Sequence, residues 1–227
     1  YDTLFYNGAG ENTKVESYVF DGASWMLEKT IVKTYTNGRV TKIEASGNNG
    51  SAWTMDHDLV YDVNGDLTGI MLDESSVTGN PSGMVGSFAN IVRNGGNFSS
   101  VDLIVDFGAG PDTIELVAAF DTKNSVESML YATEAPDYLI GGTTNNLLSL
   151  TLVNNEMIGN AGQMALDWAY TYNSNNDVAT FHSSPSIFDQ YDTYLNYSYD
   201  CSFVGIDEAF TSSSISIYPI QQWMILI

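Results

Sequence analysis

The chain is poor in the residues that most often do chemistry. Among 227 residues it has one cysteine, two histidines and seven basic residues against 28 acidic ones, for a formal net charge of −21. A single Cys201 excludes an internal disulfide, so stability must come from an adequate core, which 44% hydrophobic content at this length permits. Cys201 lies in the apolar-aromatic run YSYDCSFVGI, which reads as a buried thiol rather than a nucleophile. Two histidines exclude a three-histidine zinc site. No apolar run reaches the length of a membrane-spanning helix, so no membrane insertion is expected. No basic residue follows Lys123, leaving the rest of the chain with only negative side chains. Such a field repels phosphate backbones and anionic lipid, which argues against nucleic-acid and membrane-surface partners. The sequence opens on Tyr1, with no methionine, basic stretch or apolar stretch of a signal peptide, as expected of a mature protein whose signal peptide has been removed or left out.

What the chain has in quantity is alternation. Trp53, Met55, His57, Leu59 and Tyr61 fall on one face of a strand, and Thr54, Asp56, Asp58, Val60 and Asp62 on the other. The same parity groups Trp25, Leu27, Ile31 and Tyr35, and later Met164, Leu166, Trp168, Tyr170 and Tyr172. Val101, Leu103, Val105 and Phe107 oppose Asp102, Ile104 and Asp106. Ile114, Leu116, Ala118 and Phe120 oppose Glu115, Val117, Ala119 and Asp121. Leu147–Val153 reads as a further apolar strand, and Tyr191, Thr193, Leu195, Tyr197 and Tyr199 as one face of a late one. Asn124–Thr133 is the one stretch that reads as a short helix.

An internal repeat organises the first third. Gly22-Ala23-Ser24-Trp25 leads to Tyr35-Thr36-Asn37-Gly38, and Gly50-Ser51-Ala52-Trp53 leads to Tyr61-Asp62-Val63-Asn64-Gly65. A third, less regular copy spans 164–182, with Trp168, Tyr170 and Asn176-Asp177. Each copy reads as strand, tight turn, strand. Asn37-Gly38 and Asn64-Gly65 signal type I′ turns, whose two central residues both need positive φ. The fold expected is all-β: an antiparallel meander of consecutive hairpins, forming a curved sheet or closing to a barrel or sandwich. Three regions follow: hairpin repeats over 1–83, a continuing antiparallel region over 84–207, and a linker with a terminal signal over 208–227. The Gly79–Gly83 turn cluster marks the first boundary.

The pattern W…Y-D-x-N-G-x-L-T, carried by Asn49–Trp53 and Tyr61–Thr68, resembles the YD/RHS-like hairpin repeats of secreted Bacteroidetes proteins. The first copy departs from it at Thr36, and the third has Asn176-Asp177 in place of Asn-Gly. Near the end, a Ser-rich run leads into Ile215, Ile217, Tyr218 and Pro219, which resembles the opening of the C-terminal sorting domain of type IX secretion cargo. That family continues with Asn-Pro, where this chain has Ile220-Gln221. Back-translating Ile220–Ile227 and reading from the third base gives Ser-Thr-Met-Asp-Asp-Ile-Asn, so a truncated or frameshifted sorting domain is expected. Together the resemblances imply a secreted or cell-surface protein that uses the type IX machinery. They carry over no catalytic residues, because the repeat's motif residues are turn and core positions. Asp2-Thr3-Leu4 and Asp112-Thr113-Ile114 resemble Bacteroidetes O-glycosylation acceptors, which fits the same address.

Asp62, Asn64 and Asp66 match the D-x-N-x-D opening of a calcium loop, which also needs Gly at its sixth position and Glu at its twelfth. Leu67 and Asp73 stand there instead, so the hairpin is preferred and no cofactor is expected, calcium being the only candidate. Within Asp56-His57-Asp58 the histidine points away from both acids by parity. Glu127 with Glu134, or Asp102 with Asp106, could form carboxylate pairs, but the alternation assigns Asp102 and Asp106 to a solvated face. His182 could join a Ser/His/Asp arrangement, yet no G-x-S-x-G elbow accompanies it. The better lead is an aromatic strip: Tyr194 shares a strand face with Asp192, Asn196 and Asp200, an aromatic flanked by amide and carboxylates suited to a sugar ring. The function expected is non-enzymatic binding or assembly at the cell surface, with glycan or other surface proteins as partners. The alternatives are a hydrolase acting on polysaccharide or ester, and a small-ligand carrier should the sheet close into a barrel.

Overall fold

The computed structural model describes residues 1–48, 50–79, 86–106, 110–125, 134–135, 137–154, 164–185 and 192–197. These form a single antiparallel sheet with its strands in sequence order. The strands are β1 (Asp2–Tyr6), β2 (Asn12–Phe20), β3 (Trp25–Thr36), β4 (Arg39–Asn48), β5 (Ala52–Tyr61), β6 (Leu67–Thr78) and β7 (Ser87–Asn94), then β8 (Asn97–Asp106), β9 (Pro111–Asn124), β10 (Asn145–Asn154), β11 (Met164–Tyr172), β12 (Val178–Ser184) and β13 (Thr193–Asn196). One short helix, α1 (Asp137–Gly141), lies between β9 and β10. The expected all-β meander of consecutive hairpins is the fold observed. It is an open sheet with β1 and β13 as its edges, not a barrel.

Alternation assigns the faces as the sequence implies. On β5, Trp53, Met55, His57 and Leu59 are buried, while Thr54, Asp58 and Val60 are exposed. On β8, Val101, Leu103 and Val105 are buried. β10 is where simple parity fails. Leu147, Leu150 and Leu152 are all buried, because a register shift against β9 between Leu147 and Ser149 resets the phase of the strand. In the first repeat copy Ile31 is buried but Trp25 and Leu27 are exposed, since β2 and β3 carry this hairpin past the covered part of the sheet.

A one-layer sheet with one apolar face must cover it. Here the chain does so with its own β9–β10 connection. Ala135 and Leu139 are buried in the same core cluster as the strand residues Ile31, Ile43, Ile70 and Leu103. Polar contacts fix the path of the connection across the sheet. Glu134 pairs with Lys29 of β3, Lys33 of β3 lies 5.7 Å from the Tyr138 ring centre, and Thr144 N donates to Gly96 O at 3.0 Å. Lys33 is buried with its ammonium donating to Asn12 Oδ1 at 2.8 Å, which offsets part of the cost of removing the charge from water. A second polar knot ties β9, β10 and β11. Asp121 accepts from the Asn146 main chain and Nδ2, both at 3.1 Å, and from the Tyr172 hydroxyl. Burial, reinforced by that carboxylate, pushes the Tyr172 phenol far above its ordinary pKa.

The turns divide into two kinds. Asn37-Gly38 is a two-residue turn with φ of 52° and 74°, as its type I′ signal requires. Asn64-Gly65 is not of this kind. Only Gly65 has positive φ, and the loop is five residues long, closed by Asp62 N donating to Asp66 O and Gly65 N donating to Asp62 O, each at 3.0 Å. Asn7–Glu11 and Asn173–Asp177 close in the same way, with Gly10 and Asn176 taking the positive-φ position. The expectation of a tight type I′ turn at Asn64-Gly65 is thus corrected: the Asx side chain that opens each loop selects the longer form. The expected helix over Asn124–Thr133 falls mostly on 126–133, outside the described residues, and Asn124 itself ends β9.

Two outcomes test this architecture. Leu139 is 2% exposed, so Leu139→Ala should cost about 2–4 kcal/mol in urea unfolding, whereas Val60→Ala on the outer face, 44% exposed in the wild type, should change stability by less than about 0.5 kcal/mol. His57 is 3% exposed, with Nε2 3.1 Å from Gly86 O, and burial lowers its pKa below that of an ordinary imidazole. The unfolded chain therefore binds this proton more readily than the folded one. Stability from neutral His57 is complete above pH 6.5 and is lost as the pH falls below it, at up to about 1.4 kcal/mol per pH unit. A His57→Phe variant should show a shallower loss of stability between pH 7 and 5 than the wild type; equal slopes would mean His57 takes up its proton equally in the folded and unfolded chain.

Candidate functional site

The β12–β13 hairpin at one edge of the sheet brings together the aromatic strip and a histidine that sequence reasoning had kept apart. Its register pairs Thr180 with Asn196, Phe181 with Leu195, His182 with Tyr194 and Ser183 with Thr193. Directly paired residues share a face, so the alternation separates two sets. Phe181 packs against Trp168 and Tyr170, with ring centres 5.4 Å away in each case, and Ser183 is buried. Trp168 in turn packs on the core, which makes theirs the inner face. Thr180, His182, Tyr194 and Asn196 therefore stand on the outer face.

The geometry there is well defined. The Tyr194 ring stacks on the His182 imidazole at 4.1 Å between centres with only 9° between planes. Asp192 Oδ1 lies 2.6 Å from His182 Nε2, so the imidazole is held from its edge as well as its face. Tyr194 is 65% exposed and belongs to an edge strand. Thr180 is occupied with its neighbour, its hydroxyl 2.6 Å from that of Thr171. Among the described residues, His182 hydrogen-bonds to Asp192 and to no serine or threonine hydroxyl. The arrangement is a rigid aromatic platform rimmed by a carboxylate and an amide. Asp200, the fourth member of the expected strip, lies outside the described residues, as do Ile215, Ile217, Tyr218 and Pro219 of the sorting motif and Cys201.

Strand parity was enough to place Tyr194 with Asp192 and Asn196. The part played by His182 was missed because it depends on cross-strand register, and the connection between β12 and β13 has no short turn signal to fix the offset.

The remaining candidates resolve into structural roles or stand apart. Asp62 is the hub of its turn: Oδ1 accepts from the backbone N–H of Asn64 at 2.8 Å and of Asp66 at 2.9 Å, and Oδ2 accepts from Asn64 Nδ2 at 3.2 Å. Those bonds, led by that from Asp66, hold its carboxyl below the usual range. Asn7 and Asn173 use the same side-chain oxygen in the same way in their own loops. Among the described residues, no three His, Cys, Asp or Glu side chains are grouped so as to hold a metal ion. Asp56 pairs with Lys42 at 2.9 Å on the face opposite His57, Asp102 accepts from Asn90 at 2.7 Å, and Glu134 is paired with Lys29, while Glu127 lies outside the described residues.

No protein-family model matches this chain, and no curated protein sequence does. Among solved structures, a porin-like protein from Bacteroides uniformis ATCC 8492 is similar over 87% of this chain and 89% of its own, with a TM-score of 0.42 and 14% identity. No described helix is long and apolar enough to cross a membrane.

The shared turn geometry generates a test of the Asp62 motif. Asp62→Asn keeps the Oδ1 acceptor that Asn7 and Asn173 supply in their own loops and should leave the melting temperature unchanged. Asp62→Ala removes that acceptor and should lower the melting temperature, and added calcium should shift neither variant. A calcium-dependent rise in the wild type that Asp62→Asn abolishes would instead assign the motif to the ion.

Proposed function

We propose that this is a non-enzymatic binding protein of the cell surface or its surroundings, which contacts glycan through the outer face of its β12–β13 edge. The observation that carries the reading is the Tyr194 ring, exposed and held flat on His182, with Asp192 and Asn196 to either side along the strand. A sugar presents C–H groups on its faces and hydroxyls around its rim. An aromatic plane bordered by a carboxylate acceptor and an amide matches both, and a ring already immobilised by stacking loses little freedom on binding. The strong negative charge favours a neutral or cationic ligand over a polyanionic one on this face. The resemblance of the N-terminal hairpins to YD/RHS-like repeats, and of Ser214–Pro219 to a type IX sorting signal, supports display or release outside the cell. Assembly with other surface proteins is compatible with the same exposed edge.

The Asp192–His182 bond is the one observation favouring a hydrolase, since a carboxylate orienting an imidazole is two-thirds of a nucleophilic triad. The binding reading is preferred because the imidazole is capped on one side by Tyr194 and has no hydroxyl partner among the described residues.

A glycan and polymer binding screen with product analysis decides between them. Wild-type protein should retain at least one neutral polysaccharide without turning it over, and Tyr194→Ala should weaken that binding by at least about tenfold, as for a central aromatic anchor. Product release that disappears in His182→Ala would establish the hydrolase instead.

A further inference from the structure

The chain's two arginines, far apart in sequence, both act on Tyr61, at the opposite end of the sheet from its exposed first-hairpin aromatics. Arg39 opens β4 and lies against the Asp62–Asp66 turn, and Arg93, near the end of β7, is close enough to Asp66 and Tyr61 for its charge to act with theirs. Arg39 Cζ lies 5.7 Å from the ring centre of Tyr61, the last residue of β5. Its guanidinium also lies directly against Gly65, where any Cβ would run into it, so the glycine that gives the turn its φ of +87° also makes room for the arginine. Arg93 approaches from the other side, its Nη2 3.7 Å from the position a Cβ would take on Gly142, just after α1. Both charges act on Tyr61, opposing the rise that burial imposes on its phenol.

What sets these two side chains apart is that their donors are unused. Each guanidinium carries five N–H donors and keeps its charge at any physiological pH. Neither arginine has a hydrogen bond or ion pair with any described residue, and Arg93 Nε is both buried and without a partner. In a chain with 28 acidic residues and seven basic ones, unpaired arginines are unexpected: Lys14, Lys29 and Lys42 are all ion-paired. Asp66 is near enough to favour the charge on Arg93 but does not bond to it, and would repel a ligand of high negative charge. A buried donor left unsatisfied is costly, so its persistence calls for an acceptor from outside the chain.

We propose that Arg39 and Arg93 form a binding site for the carboxylate of a small singly charged ligand, either an acidic sugar or a free organic acid. A planar carboxylate matches the guanidinium fork in two parallel N–H···O bonds, and a single charge tolerates Asp66 where a phosphate cluster would not. The site is separate from the Tyr194 platform and stands independently of the function proposed for it.

Calorimetric titration of the full chain with D-glucuronate, acetate and D-glucose at low ionic strength tests this site. Saturable binding of glucuronate or of both acids is expected, with none of glucose. Arg39→Ala, an exposed position, and Arg93→Lys, which keeps the charge but loses the fork, should each weaken binding by at least about tenfold. Physiological salt should weaken it further, and Tyr194→Ala should leave it intact. Glucuronate alone binding assigns the site to an acidic sugar; equal binding of acetate assigns it to the carboxylate by itself. Thermal melts confirm that the variants remain folded, and should Arg93→Lys not fold, Arg39→Ala alone decides. Absence of saturable binding by either acid, equal binding of glucose, or affinity undiminished in the folded variants would overturn the proposal.

Discussion

A single sheet has one face too many for water, and the rest of this structure depends on how that face is covered. No second sheet or long helix is present among the described residues. The cover is the β9–β10 connection, whose Ala135 and Leu139 join the strand core and whose Glu134 reaches back to Lys29 on β3. Because β3 and the connection are far apart in sequence, this contact closes the molecule in a way that neighbouring hairpins alone could not. The buried polar groups on the inner face follow from it. Lys33 lies near Tyr138 of the connection, and His57, among the same apolar residues, finds its acceptor in the Gly86 carbonyl. Each carries a polar group into a region otherwise made of aliphatic side chains, and each has a defined partner as that region demands.

With the inner face committed to packing, recognition is left to the outer face, the edges and the turn rims. The outer face is mostly charged and hydroxylated, as a solvated sheet surface should be. The β12–β13 edge differs because its exposed aromatic is not loosely placed. It stacks parallel on His182, whose imidazole is itself held at its edge by a short bond to Asp192. Preorganisation of that kind costs little once the hairpin has formed, since the strand register already sets His182 opposite Tyr194.

Strand identity and facing were legible because they rest on a period of two, and Trp53 through Leu59 or Val101 through Val105 show it without ambiguity. Features set by register were not legible. The shift of β10 against β9 between Leu147 and Ser149 resets which leucines face inward, and nothing local in Leu147–Val153 announces it. Turn type was half legible. Asn-Gly marked the position at 64–65, but the loop's length was decided by the side chain of Asp62, two residues before the pair. Read as an Asx hub followed three residues later by a residue that tolerates positive φ, the loops at Asn7, Asp62 and Asn173 are one motif. That reading would have found all three from the sequence. The cover over the core and the shared action of Arg39 and Arg93 on Tyr61 depend on the approach of distant segments, which no local pattern encodes.

The linear strand order has a kinetic meaning. Every strand pairs with its immediate neighbour in sequence, so nearly all of the sheet forms through short loop closures with little entropic cost at each step. Such a sheet can grow from any hairpin, but a growing row of hairpins gains little cooperativity of its own. Contacts from beyond β9 back to β3, Glu134 with Lys29 and Tyr138 with Lys33, link strands that local pairing leaves independent, so those strands are expected to open together.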